Sequence, residues 1–150
     1  MTADSFPVRG IPGLLRAARK AYGNAITEAF AAAGFDDVPR NGAYVLARVY
    51  DNASLAELTR ELGISKQAVS QLIDTMVMRG YLDRTADTED RRRMLITLTP
   101  RGAEAARVCG EAANDVDEEL AGRLGADGVE ALRSGLTILA ELGWQSGHQD

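Results

Sequence analysis

A mainly α-helical fold with one small β-hairpin is predicted for this chain on three observations. Apolar residues recur at spacings of three and four through most of its 150 residues. The period falls to two only over residues 81–85 and 94–98. Capping and breaking residues stand where the periodic stretches begin and end.

The first helix covers residues 12–33, with Leu15, Ala18, Tyr22, Ala25, Ile26, Ala29, Phe30 and Ala33 on one face and Gly34 as its stop. Residues 40–51 form a second, introduced by Pro39 and carrying Val45, Leu46, Val49 and Tyr50. Ser54-Leu-Ala-Glu57 is a capping box, in which hydroxyl and carboxylate satisfy exposed amides reciprocally. It opens a short helix over 55–62, closed by Gly63. Ser65 is the N-cap of a fourth helix, 66–79, whose inner face is Val69, Leu72, Ile73, Met76 and Val77 and whose C-cap is Gly80. Residues 81–85 and 94–98 pair across the polar loop from Asp87 to Arg93. Thr99-Pro100 starts the next helix, with the stripe Ala106, Cys109, Ala113, Val116 and Leu120. A second capping pattern, Asp127 to Glu130, opens a last helix along Val129, Leu132, Leu136, Leu139 and Gly143, and the tail from Trp144 is expected to fray.

Composition bounds the function. The 17 basic and 22 acidic residues give a net charge of -5, which at face value argues against a nucleic-acid partner. The distribution reverses that inference. Residues 1–35 hold four basic and two acidic groups, residues 36–101 ten of each, and residues 102–150 three basic against ten acidic. The deficit therefore belongs to the last third, and screening makes local fields outweigh a distant total. One Cys and one His exclude an internal disulfide and a Cys/His zinc site. No apolar run approaches the roughly 20 residues of a membrane span, so no membrane partner is expected. The first ten residues lack the apolar core of a secretory signal, and the expected compartment is cytoplasmic. Without a glycine-rich phosphate loop, a nucleophile beside a histidine base or a ligand cluster, no enzyme activity, metal or cofactor is expected.

Two short helices joined at a glycine turn and followed by a hairpin have the order of a winged helix-turn-helix. With its apolar face turned inward, the fourth helix presents Lys66, Gln67, Ser70, Gln71 and Asp74 outward. Lys, Gln and Ser can contact phosphates and base edges. A merely solvated helix more often carries Glu-Lys pairs four apart, which this face lacks. Asp87-Thr88-Glu89-Asp90-Arg91-Arg92-Arg93, alone a solvated turn, here projects three arginines beside that helix. Arginine suits the minor groove, being permanently charged with a rigid set of donors. Asp90 is expected to hold the Arg92 guanidinium by a charge-assisted bond.

Ile64-Ser65-Lys66-Gln67-Ala68-Val69-Ser70 through Gly80-Tyr81-Leu82, the wing residues Asp90, Arg92, Leu98 and Thr99 (Asp, any residue, Arg, five residues, Leu-Thr), and Pro100-Arg101-Gly102 resemble the MarR family of bacterial transcriptional regulators. The resemblance covers nearly the whole chain. It implies one domain over 1–150, with a winged helix-turn-helix at 36–99 and dimerisation helices at 11–35 and 100–145. It also implies a homodimer on a pseudo-palindromic double-stranded DNA operator, most simply a repressor released by a small effector. The DNA-contacting residues expected are Ser65, Lys66, Gln67, Ser70, Gln71, Asp90, Arg91, Arg92 and Arg93. Of these, Gln67, Ser70 and Gln71 are placed at bases, and Arg92 in the minor groove. Family members often take anionic aromatic effectors, and Tyr22, Tyr44, Tyr50 and Arg48 are candidates to line such a site, with core packing as the plainer role for each. Cys109 on its small-residue stripe reads as a packing residue, and His148 as a solvated tail residue. The alternatives are a winged-helix dimer used as a protein-interaction module, or a thiol-based redox switch.

Overall fold

A computed structural model describes residues 10–146, and their side chains as far as Trp144. The expectations for residues 1–9 and for His148 lie outside the described residues. The order is α1 (Ile11–Ala33), α2 (Gly42–Tyr50), α3 (Leu55–Leu62), α4 (Lys66–Met78), β1 (Leu82–Ala86), β2 (Met94–Leu98) and α5 (Pro100–Ser146). The fold is mainly helical with a two-stranded antiparallel hairpin, as the sequence predicts. One compact unit ends at Ala113 and a second begins at Asn114.

In the first unit, α2, α3 and α4 close over a core of Val45, Leu46, Leu58, Val69, Ile73 and Met76, all fully buried. Tyr81, Leu82 and the small residues Ala105, Ala106, Val108 and Cys109 of α5 join it. From α1 only Phe30 is buried, while Ile11, Leu14 and Leu15 stand exposed. The predicted apolar face of α1 is thus covered only near its C-terminus. That end closes as a Schellman motif: Gly34 (φ 82°) donates to the Ala31 carbonyl and Phe35 to Phe30. α4 ends the same way, through Gly80 to Val77 and Tyr81 to Met76, so Gly80 lies one residue past the Arg79 cap.

Several boundaries move for local reasons. α2 starts at Gly42 rather than residue 40, because the Gly42 amide bonds the Pro39 carbonyl in a turn and Asn41 is left-handed, φ 65°. β1 starts at Leu82 because Tyr81 is drawn wholly into the core. The hairpin then pairs Leu82 with Leu98 and Ala86 with Met94. Thr99 caps α5 as expected, its Oγ1 accepting from the Gly102 amide at 2.9 Å and donating to the Gly80 carbonyl. Gly102 is required there, since a Cβ would stand 1.9 Å from the Tyr81 carbonyl oxygen.

In the second unit the helix leaves helical geometry at Gly125 (φ 72°, ψ 169°), so the break precedes Asp127 instead of being capped by it. Leu132, Leu136, Ile138, Leu139 and Leu142 beyond it are exposed. The helix continues to Ser146, past the expected fraying point at Trp144. No helix among the described residues is long and apolar enough to cross a membrane.

Candidate nucleic-acid interface

The pose of α4 is set by caps and by its ion pair to the hairpin. Ser54 accepts the Glu57 amide at 3.2 Å while the Glu57 carboxylate accepts the Ser54 amide at 2.7 Å, fixing the start of α3. Gly63, left-handed at φ 63°, turns the chain into α4. Ser65 Oγ accepts the Ala68 amide at 3.1 Å, so its hydroxyl oxygen is committed to the cap. Burial of Val69, Ile73 and Met76 then fixes the rotation of α4 and leaves Lys66, Gln67 and Gln71 exposed, with Ser70 half-buried. Asp74 on the same helix pairs with Arg84 of β1 at 2.8 Å, tying α4 to the wing.

The wing loop folds on its own carboxylates. Asp87 Oδ1 accepts the Glu89 amide at 2.9 Å, and Asp90 Oδ1 accepts the Arg92 amide at 3.0 Å. Backbone bonds from Asp87 to Arg93 and from Arg93 to Asp90 close the turn. The expectation for Asp90 is therefore corrected: it holds the backbone of Arg92, because an Asx-type turn satisfies the nearest amide first. The three guanidiniums stay exposed, and among the described residues none has an acidic partner. Charges left unpaired on a shaped loop are available to phosphates at no cost in broken ion pairs.

The effector candidates separate. Tyr44 and Arg48 meet on Glu61 of α3, a residue the sequence reading did not single out. Arg48 donates to both carboxylate oxygens, at 2.8 and 2.9 Å, and Tyr44 donates its hydroxyl at 2.8 Å. Asp51 lies 3.6 Å from the same guanidinium. The hydrogen bonds from Arg48 hold Glu61 below the usual carboxylate range, while burial, followed by Glu61, pushes Tyr44 up. Tyr22 is half-buried on α1, and Tyr50 is exposed at the end of α2. A second unforeseen cluster surrounds Tyr81, whose hydroxyl donates to Asp37 in a short bond. Arg101 bonds Asp37 at 2.9 Å and lies 4.7 Å from the centre of the Tyr81 ring. The Tyr81 bond, then Arg101, hold the Asp37 carboxyl down. Both clusters join residues 13 to 64 apart in sequence, so no local spacing announces them. Cys109 is buried, and burial pushes its thiol up, away from the thiolate that oxidants attack. No group of three metal-ligating side chains occurs among the described residues.

The MarR family model matches residues 36–93. The multiple antibiotic resistance protein MarR of Salmonella typhimurium is 31% identical over 77 residues, 51% of this chain and 54% of that protein, so the match spans about half the relative's length. Among solved structures, a cysteine-to-serine mutant of E. coli MarR complexed with operator DNA has a TM-score of 0.67 at 24% identity, covering 86% of this chain and 94% of that one. BpsR from Bordetella bronchiseptica, described with regulation of its DNA binding by 6-hydroxynicotinic acid, has a TM-score of 0.67 at 21% identity, over 90% and 98% of the two chains. At these identities the structural likeness establishes the shared winged-helix fold.

Proposed function

From the match of residues 36–93 to the MarR family model we infer a sequence-specific DNA-binding transcriptional regulator that acts as a homodimer, most simply as a repressor. One observation carries the reading: the exposed Lys66, Gln67 and Gln71 face of α4 stands beside a pre-shaped loop with three unpaired arginines. In this reading residues 36–99 read DNA, and the helices at 11–35 and 100–145 dimerise. The exposed apolar residues Ile11 and Leu14, and separately Leu132, Leu136 and Leu139, support the second part, since a monomer rarely leaves such groups uncovered.

α4 enters the major groove, where Gln67, Ser70 and Gln71 reach base edges. Lys66 and the N-terminal turn at Ser65 meet phosphate. Arg92 enters the minor groove and Arg91 and Arg93 bond phosphates, on a turn that Asp90 shapes. A two-fold dimer sets its recognition helices about 34 Å apart, so the operator is two inverted half-sites one helical turn apart. The operator complex of the E. coli relative supports the partner, and BpsR supports effector control.

The effector in this reading is a small aromatic or anionic molecule at Tyr44 and Arg48, which meet on Glu61, and Tyr22 is left out because it stands apart on α1. Its anionic group competes with Glu61 for Arg48 and loosens α2 from α3, and release of DNA follows if it binds the loosened state more tightly. The test is binding to the intergenic DNA beside the chain's own gene, for the wild type and Arg92→Ala at stated salt. Sequence-dependent binding weakened by the substitution supports the reading; equal affinity of both proteins for every sequence contradicts it. An effector that releases the wild type but not Arg48→Ala supports the proposed route, and an equal response of both excludes it.

A further inference from the structure

Arg16, Arg19 and Lys20 share one face of α1, and Arg40 joins them from the loop before α2 in lining an open groove of about 750 Å³. Among the described residues none of these four cations has an acidic partner, unlike Arg48, which is neutralised by Glu61. Arg16 and Lys20, four apart on a helix, repel each other and weaken it. No ion pair among the described residues offsets that repulsion.

Gly23 forms the next turn of the same face. Glycine weakens a helix interior relative to alanine, yet no atom lies within 4 Å of where its Cβ would be, so packing does not demand it. Its missing side chain leaves the groove open beside the cations. Asn24 and Thr27 supply neutral hydrogen-bonding groups, and Leu15 is the sole apolar side chain in the lining. An aromatic acid would find little apolar surface here, and a docking helix no seam. Guanidinium forks match the oxygens of a phosphate, and four charges call for more than one negative charge.

We propose that this groove is a binding site for a small phosphorylated polyanion, distinct from the Tyr44–Arg48 effector candidates. The proposal goes beyond the DNA-binding reading and is read without DNA. The experiment is calorimetric titration of the full chain with inorganic pyrophosphate at 0.15 M salt, on the order of physiological ionic strength. The wild type should bind saturably. Arg16→Ala with Lys20→Ala should weaken binding at least about tenfold, as two charge-assisted contacts would. Gly23→Leu, which favours the helix but fills the groove, should weaken it comparably. Arg133→Ala, a cation outside the groove, should leave it unchanged.

Absence of saturable binding overturns the proposal, as does equal weakening by Arg133→Ala. If the wild type fails to bind and Arg16→Ala with Lys20→Ala instead lowers dimer stability at low salt, the groove holds the acidic helix of a second copy, and the proposal is wrong. If pyrophosphate fails to bind and the double substitution instead flattens the salt dependence of operator binding, the groove holds DNA phosphates, and the proposal is equally wrong.

Discussion

Glycine 102 shows how little room some positions leave. Its missing Cβ lets the first turn of α5 lie against the Tyr81 carbonyl oxygen, which a methyl group would meet at 1.9 Å. Because that neighbour is backbone, Gly102→Ala must shift α5 or the wing; the expected loss is about 1–3 kcal/mol in equilibrium denaturation, typical of overpacking. Glu61 makes a different kind of claim. Its carboxyl is held below its ordinary value, chiefly by the bonds from Arg48. The folded state therefore binds fewer protons there than the unfolded one, and the stabilisation is present above the ordinary carboxylate range and lost as pH falls through the lowered value. Glu61→Gln should flatten the acid limb of the stability curve relative to the wild type in denaturation measured across pH. An unchanged acid limb in Glu61→Gln would assign the pH dependence elsewhere, with Asp37 the next carboxylate to test.

At the scale of elements, the proposed function divides the work of recognition between α4 and the wing. The caps at Ser54 and Ser65 and the Asp74–Arg84 pair set the pose of α4. Its exposed glutamines should then carry discrimination rather than bulk affinity. Gln71→Ala is expected to lose about 1–3 kcal/mol of preference between operator and mismatched DNA with the salt dependence unchanged; a uniform loss on all sequences would demote Gln71 to a phosphate contact. These elements were legible in the sequence because their causes are local: capping boxes, glycine stops and a change of period from four to two. The run of wing arginines was legible for the same reason, but the freedom of the Arg92 guanidinium was not, since an Asx turn and the expected Asp90 ion pair share one spacing. Glu61 and Asp37 escaped because their partners lie on other elements, 13 and 44 residues away. The start of α2 escaped because Pro39 closes a turn before the helix rather than opening it.

For the whole molecule, the net charge of -5 bears on orientation more than on affinity. The acidic excess lies in residues 102–150, and residues 36–101 are neutral overall, with exposed cations at Lys66 on α4 and at Arg91, Arg92 and Arg93 in the wing. Non-specific binding should be modest as a result. The exposed leucines after Gly125 make assembly testable separately: Leu136→Asp with Leu139→Asp should shift the chain to monomer in sedimentation and cost most of its operator affinity, because one reading head loses the second half-site. A double variant that remains dimeric would remove these residues from the interface. The central claim, that a shaped wing and an outward α4 face read an operator, is tested most directly by the salt dependence of binding to the intergenic DNA for the wild type and Arg92→Ala. The account predicts steep, sequence-dependent binding by the wild type, and for Arg92→Ala weaker binding with a log-log slope shallower by about one unit. Identical slopes and affinities for the two proteins on all DNA would contradict it.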